Sequence, residues 1–457
     1  MSDTSGQTSP PGWTRAKLSH ISWILMGQSP PSSTYNSEGN GLPFFQGKAE
    51  FGDLYPTPRV WCSRPGKVAK AGDVLLTVRA PVGPTNLAPV KCCIGRGLAA
   101  IRPEPGINLK YLLHAFRRFA AELDAKGTGT TFKAVSGKVV REFSFPVAPA
   151  AEQQRIADAL DELLSDLDAG VAALERAQAK LALYRAAVLK AAVEGALVPG
   201  QSVPAYYPFG TVIETVYQGW SPKCQNEASA DPEIWAVIKT TAIQPMRFLP
   251  AENKRLPSAL TPRPHLQLAQ GDLVMTRAGP RTRAGVTCLV RQSRSRLILC
   301  DKAYLIRGKD DRVLPAYLEV CLNAPHIVDA LDALKTGISD SGVNLTQARL
   351  RELVIPLPPL AEQHVIVEAV EDHLSVIEHL EADLEAKLKS AQALRQSILR
   401  HAFTGQLVPQ DPNDEPAELL KRIAAERVER ARETTVAKRP HLRVRGSGRK
   451  KKSSRGA

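Results

Sequence analysis

Two sets of cations and amides sit where short apolar runs meet turns rich in glycine and proline. The first set is Gln28, Ser29, Gln46, Lys48, Arg79, Asn86, Lys126, Thr130, Thr131, Lys133 and Lys138. The second is Ser221, Lys223, Arg277, Arg281, Thr282, Arg283, Lys335, Asn344, Gln347 and Arg349. Arginine or lysine can take the two acceptors of guanine, and asparagine or glutamine can pair with adenine. Any of these cations can also neutralise a phosphate. Each residue alone is equally an ordinary solvated surface group, so the weight lies in the repeated pattern.

Motifs for catalysis are missing from the same text. There is no phosphate loop of the GxxxxGK[ST] type and no G-x-S-x-G nucleophile elbow. No Asn-Pro-Pro-Tyr or Asp-Pro-Pro-Tyr run occurs, the motif that holds an extrahelical adenine in amino-methyltransferases. Glu385-Ala386-Lys387 resembles the end of a nuclease carboxylate motif, but it falls inside a helical seam and reads as a solvated face. His373 and His379 are six apart and do not share a helix face as an i, i+4 pair would, so no metal set is expected.

The elements that must position the two sets also occur twice. Gly27-Gln28-Ser29-Pro30 is echoed by Gly219-Trp220-Ser221-Pro222, and Gly72-Asp73-Val74-Leu75-Leu76-Thr77 by Gly271-Asp272-Leu273-Val274-Met275-Thr276. Val60–Cys62, Val74–Val78 and Leu98–Ile101 predict short strands. Asn108–Leu123 predicts an amphipathic helix with Leu109, Leu112, Leu113, Phe116 and Phe119 on one side. Between these anchors the two units share little. One scaffold with different surface loops should bind two different things.

Each unit leads into a long helix. Residues 145–200 and 355–410 align without a gap at an offset of 210. Prolines 146, 149, 356, 358 and 359 block an earlier start, and Gly195 and Gly405 suit the left-handed position after the last turn. About 43 residues at ~1.5 Å each make a rod of roughly 65 Å. The apolar period is seven. Leu160, Leu167, Leu174, Leu181 and Val188 form one row of copy one, with Ile156, Leu163, Gly170, Ala177, Tyr184 and Ala191 as the other. Copy two offers Val370, Ile377, Leu384, Ala391 and Ile398, then Ile366, Leu380 and Leu394 in a second row interrupted by His373 and Lys387. Leu374 and Leu388 lie beside those interruptions, so the seam reads as shifted and register-specific. Packing of the two rods on each other is preferred over two helices docked on separate domains.

The net charge of +14 is uneven: nine of those charges lie in the acid-free tail after residue 433, which leaves +5 for the rest. The tail, low in apolar residues, is expected to be disordered. The apolar fraction is 43%, and no apolar run is long enough to span a bilayer. The first residues, MSDTSGQTSPPGW, lack a basic-then-apolar signal pattern. Seven cysteines without a CxxC fit reduced thiols in a cytoplasm.

The repeated segments resemble the specificity subunit of type I restriction–modification enzymes. The carriers are Pro358-Pro359-Leu360-Ala361-Glu362-Gln363, its first copy Ala148-Pro149-Ala150-Ala151-Glu152-Gln153, and the endings Gly195-x-Leu-Val-Pro and Ala402-Phe403-Thr404-Gly405-x-Leu-Val-Pro. The first copy departs from Pro-Pro-Leu at Ala148 and Ala150. The resemblance covers residues 13 to about 430 and leaves the tail outside.

The resemblance implies an α+β protein with a pseudo-twofold internal repeat. After a flexible start at 1–12, mixed α/β target-recognition domains at 13–150 and 201–360 would be joined by long helices at 151–200 and 361–410 in an antiparallel coiled coil. A charged helix at 411–433 and the basic tail at 434–457 would follow. Each domain would read one part of a split, asymmetric sequence in double-stranded DNA. The helices would dock two methyltransferase subunits that use S-adenosylmethionine, and restriction subunits using ATP and Mg²⁺ would complete the complex. This chain would bind none of those cofactors and catalyse nothing alone. It would act in the cytoplasm without membrane contact. A coiled-coil scaffold binding proteins or small ligands would instead call for exposed apolar patches, and a stand-alone enzyme for the missing motifs.

Overall fold

The computed structural model describes residues 10, 12–129, 133–337, 339–411 and 416–437. The chain forms two compact units, Met1–Val171 with Lys389–Ala457, and Ala172–Leu388. Both are mixtures of helix and strand, and they share a plan.

In the first unit a four-stranded antiparallel sheet runs in the order Ser22–Met26, Leu98–Pro103, Val74–Thr77, Thr85–Leu87. In the second the order is Ile213–Gln218, Ala303–Gly308, Leu273–Thr276, Thr287–Leu289. Beside each sheet lies a parallel pair, Phe44–Phe45 with Cys93–Ile94 and Ala236–Val237 with Leu297–Ile298. All seven cysteines are free thiols. The two Gly-x-Ser-Pro turns are glycine for a steric reason: a Cβ on Gly27 would sit 2.2 Å from the Gly95 carbonyl oxygen, and one on Gly219 2.2 Å from that of Cys300.

The helix Leu109–Ala125 is capped by Asn108, whose side chain accepts from the Tyr111 amide. Its Tyr111 donates to the Pro146 carbonyl at 2.9 Å, and Tyr317 in the second unit donates to that of Pro356 at 3.0 Å. These bonds tie each domain helix to the proline strand before a long helix.

The long helices are Ala150–Val193 and Leu360–Ala402. They end at the expected stop signals, short of the segment bounds at 200 and 410: Gly195 and Gly405 turn the chain with φ of 75° and 71°. Each helix is shared between the units rather than belonging to one. Ile156, Ala157, Leu160 and Leu164 enter the first core with Leu399, Ala402 and Phe403. Val188, Leu189, Ala192 and Val193 enter the second with Ile366, Val370, Leu374 and Ile377. Within each unit the start of one helix therefore packs on the end of the other.

The seam corrects the expected register. Leu167, Leu174 and Leu181 are half-buried, as are Leu384, Ala391 and Ile398. In the second row Ile156 and Ile366 are buried as expected, but the row then falls one residue later: Leu163 is 41% exposed while Leu164 is 5% exposed. Leu380 and Leu394, at 43% and 51%, also face outward. Contacts spaced alternately four and three apart, as in Leu160, Leu164, Leu167 and Val171, keep one stripe facing the partner. At the positions beside the outward leucines are Glu381, which accepts from Arg185 at 2.9 Å, and Arg395, which pairs with Asp168.

The C-terminal helix runs Pro416–Ala437, past the expected end at 433. Leu419 and Ile423 join the core of the first unit. Arg427 and Arg430 both reach Glu104 at 2.8 Å, and Arg427 also donates to the Ser22 carbonyl at 2.9 Å. The tail from residue 438 lies outside the described residues.

Candidate nucleic-acid interface

The glutamine of each Ala-Glu-Gln motif is a buried bracket. Gln153 accepts from the Asn108 amide at 2.9 Å and donates to the Ala148 carbonyl at 2.8 Å. Gln363 accepts from Leu314 at 2.8 Å and donates to Pro358 and Arg312, both at 2.9 Å. The glutamates hold the lead-in segments. Glu152 accepts from the Trp13 indole at 3.0 Å, and Glu362 from the Ser202 hydroxyl at 2.9 Å. These motif residues position the domains, and none of the bonds above involves a candidate reader.

In the first unit the strands converge on a cavity of about 240 Å³. Its lining includes Ser29, Gln46, Lys48 and Arg79, four of the expected residues, from three separate loops. It also includes Arg96, which sequence reasoning missed. The signal was present: Gly95-Arg96-Gly97 is a tight turn between two buried strands, a place that pushes one long side chain outward. Lys48, Arg79 and Arg96 are exposed, and among the described residues no carboxylate lines the cavity. Gln28, Lys126 and Lys138 are exposed outside it.

Two other expected readers of this unit already have partners within the fold. Asn86 is 1% exposed; it accepts from the Gly52 amide at 3.1 Å and donates to the Gly52 carbonyl at 2.8 Å. Lys133 is ion-paired to Asp124 at 2.6 Å. Thr130 and Thr131 lie outside the described residues.

The second unit ties down more of its cations. Arg283 donates to the carbonyls of Thr240 and Ile243 at 2.7 and 2.6 Å and to the Gln244 side chain at 3.1 Å. Arg281 pairs with Asp332 at 2.6 Å and Asp340 at 3.0 Å. Lys335, with a side chain 6% exposed, pairs with Asp332 at 2.7 Å. Arg283 and Lys335 are held by the fold, because a cation packed into a turn is costly unless carbonyls or carboxylates satisfy it, whereas the Arg281 pairs lie at the surface. Arg277 donates to the Asp301 carbonyl at 2.8 Å, and Gln347 to that of Val216 at 3.3 Å. Ser221, Lys223, Thr282, Asn344 and Arg349 are exposed. Arg263, 4.4 Å over the Trp220 ring, adds a further exposed cation. Among the described residues, no group of three or more His, Cys, Asp or Glu could hold a metal ion. No helix there is long and apolar enough to cross a membrane.

A family profile described as "Type I restriction modification DNA specificity domain" matches residues 11–176 and 301–390, more than half of the chain. The chain is 27% identical over 465 residues to the type I restriction enzyme EcoKI specificity subunit of Escherichia coli, covering 92% of this chain and 96% of that protein. It is 38% identical over 194 residues to the EcoEI specificity subunit of Escherichia coli, 42% of this chain but 33% of that longer protein. The chain thus spans about a third of the EcoEI subunit. A crystal structure of the HsdS subunit from Thermoanaerobacter tengcongensis aligns over 88% of this chain and 99% of its own, at 20% identity and a TM-score of 0.47.

Proposed function

Because this chain belongs to the type I restriction–modification DNA specificity family, we propose that it selects the DNA target for such a complex. Each unit reads one part of an asymmetric, bipartite sequence in double-stranded DNA, and the shared helices form the antiparallel coiled coil that spaces the readers. Two methyltransferase subunits dock on this framework and bind S-adenosylmethionine. Restriction subunits add ATP- and Mg²⁺-dependent cleavage. The chain itself contributes recognition and no catalytic group, in the cytoplasm where the genome lies.

The observation that carries this reading is a matched scaffold with unmatched loops. Both units keep the sheet order, the tyrosine bond to the proline strand and the buried glutamine bracket. They differ at exposed cations and amides, the groups that read base edges. Exposed charge at these loops favours DNA over a protein ligand, which would call for apolar patches. An adenine must leave the duplex to be methylated, so the subunit also holds DNA in a deformed state while its partner acts.

The test is to purify the chain with its methyltransferase subunits and map methylated adenines on genomic DNA. One split, asymmetric sequence is expected. Methylation of a continuous site would overturn the reading.

A further inference from the structure

We propose that Arg79 and Arg96 form a guanine-reading fork in the first unit, and that at the matching place the second unit reads an amino-bearing base edge through Asp301. The proposal rests on the reading above that both units touch DNA.

Backbone bonds fix which residues match. The Ser29 hydroxyl accepts from the Arg96 amide at 3.3 Å, and the Ser221 hydroxyl accepts from the Asp301 amide at 3.1 Å. Val78 donates to the Gly97 carbonyl at 2.8 Å, and Arg277 donates to that of Lys302 at 2.8 Å. Val135 donates to the Val78 carbonyl at 2.9 Å, and Leu345 to that of Arg277 at 2.8 Å. On this shared framework Arg96 corresponds to Asp301, and Arg79 to Ala278. At these two positions the cations give way to an alanine and an anion, while the neighbouring Val78 and Gly97 become Arg277 and Lys302.

That inversion distinguishes base reading from backbone binding. Phosphates are the same on every sequence, so a position devoted to them would keep its cation in both units. A base edge differs between half-sites. Guanine offers two acceptors to an arginine, and cytosine offers an amino donor to a carboxylate. Neither the Arg79 nor the Arg96 guanidinium has a hydrogen-bond or ion-pair partner among the described residues, and both line one cavity with Lys48 and Gln46. Asp301 likewise makes no salt bridge there. A carboxylate set among the cations Arg277 and Lys302 can approach DNA and accept from an amino group of a base.

The experiment compares R96Q, R96K, R79Q and D301N with the wild type, each assembled with its methyltransferase subunits. Methylation is read on a library of sites carrying every single-base change, and thermal unfolding checks the fold. R96Q and R79Q should each relax one G·C pair in one half-site by about ten- to a hundredfold in relative rate. R96K should relax it too, because a point charge keeps the cation but loses the fork. D301N should relax one position in the other half-site alone. Wild-type behaviour of R96K would overturn the proposal, as would a uniform loss on all sequences with a shallower salt dependence, the mark of a phosphate contact. If the wild type itself methylates no defined sequence, the wider reading falls and takes this one with it.

Discussion

Gln153 and Gln363 give the family motif a physical meaning. Each side chain sits at 0% exposure and bridges the start of a domain helix to the start of a long helix. Replacing Gln153 with alanine strands the Asn108 amide and the Ala148 carbonyl without partners. The expected cost is about 2 kcal/mol or more, measured by denaturant unfolding, with Gln363→Ala giving a similar loss. The sequence marks both residues as repeated but cannot say what they touch, because their partners lie 45 and 49 positions away. The same limit governs the expected readers. A list of basic residues cannot separate Lys48, which is exposed, from Arg283, whose guanidinium is spent on two carbonyls and an amide. Arg96 was legible from its flanking glycines, whereas Asn86 was misread because its buried role depends on Gly52, 34 residues away.

The long helices were readable as elements, since prolines, glycines and a heptad period mark them locally. Their register was not, because a seven-residue pattern fits two neighbouring stripes and only the partner helix decides between them. Leu160 and Leu163 test the observed stripe. Leu160→Ala removes a side chain at 0% exposure and should cost about 2–5 kcal/mol. Leu163→Ala, on the outer face, should stay within about 0.5 kcal/mol. Equal effects in thermal unfolding would refute the register. The C-terminal helix has an electrostatic latch. Burial pushes the Glu104 carboxyl up, but hydrogen bonds from Arg430 and Arg427 outweigh it and hold the group below its ordinary value of 4.5. A lowered folded value means the contribution is fully present above that ordinary value and is lost as pH falls through the lowered one. Hydrogen exchange should therefore show the helix loosening as pH falls below that ordinary value, and Glu104→Gln should loosen it at neutral pH.

At the scale of the molecule the informative division is between what repeats and what does not. The repeat carries strand order, brackets and helices. The unrepeated loops carry Arg79 and Arg96 in one unit and Ala278 and Asp301 in the other. Residues that hold a scaffold must satisfy the same backbone in both copies, so they stay recognisable in the text. Residues that meet a ligand answer to the ligand, so a local signal such as the glycines flanking Arg96 marks an outward side chain but not the base it meets. Two independent readers on one frame is the central claim. Its most direct test is to exchange residues 206–350 for the matching segment of another specificity subunit and map methylated adenines with the unchanged partners. A new sequence in one half of the target, with the other half and its bases kept, is the expected result. A change in both halves would contradict the account.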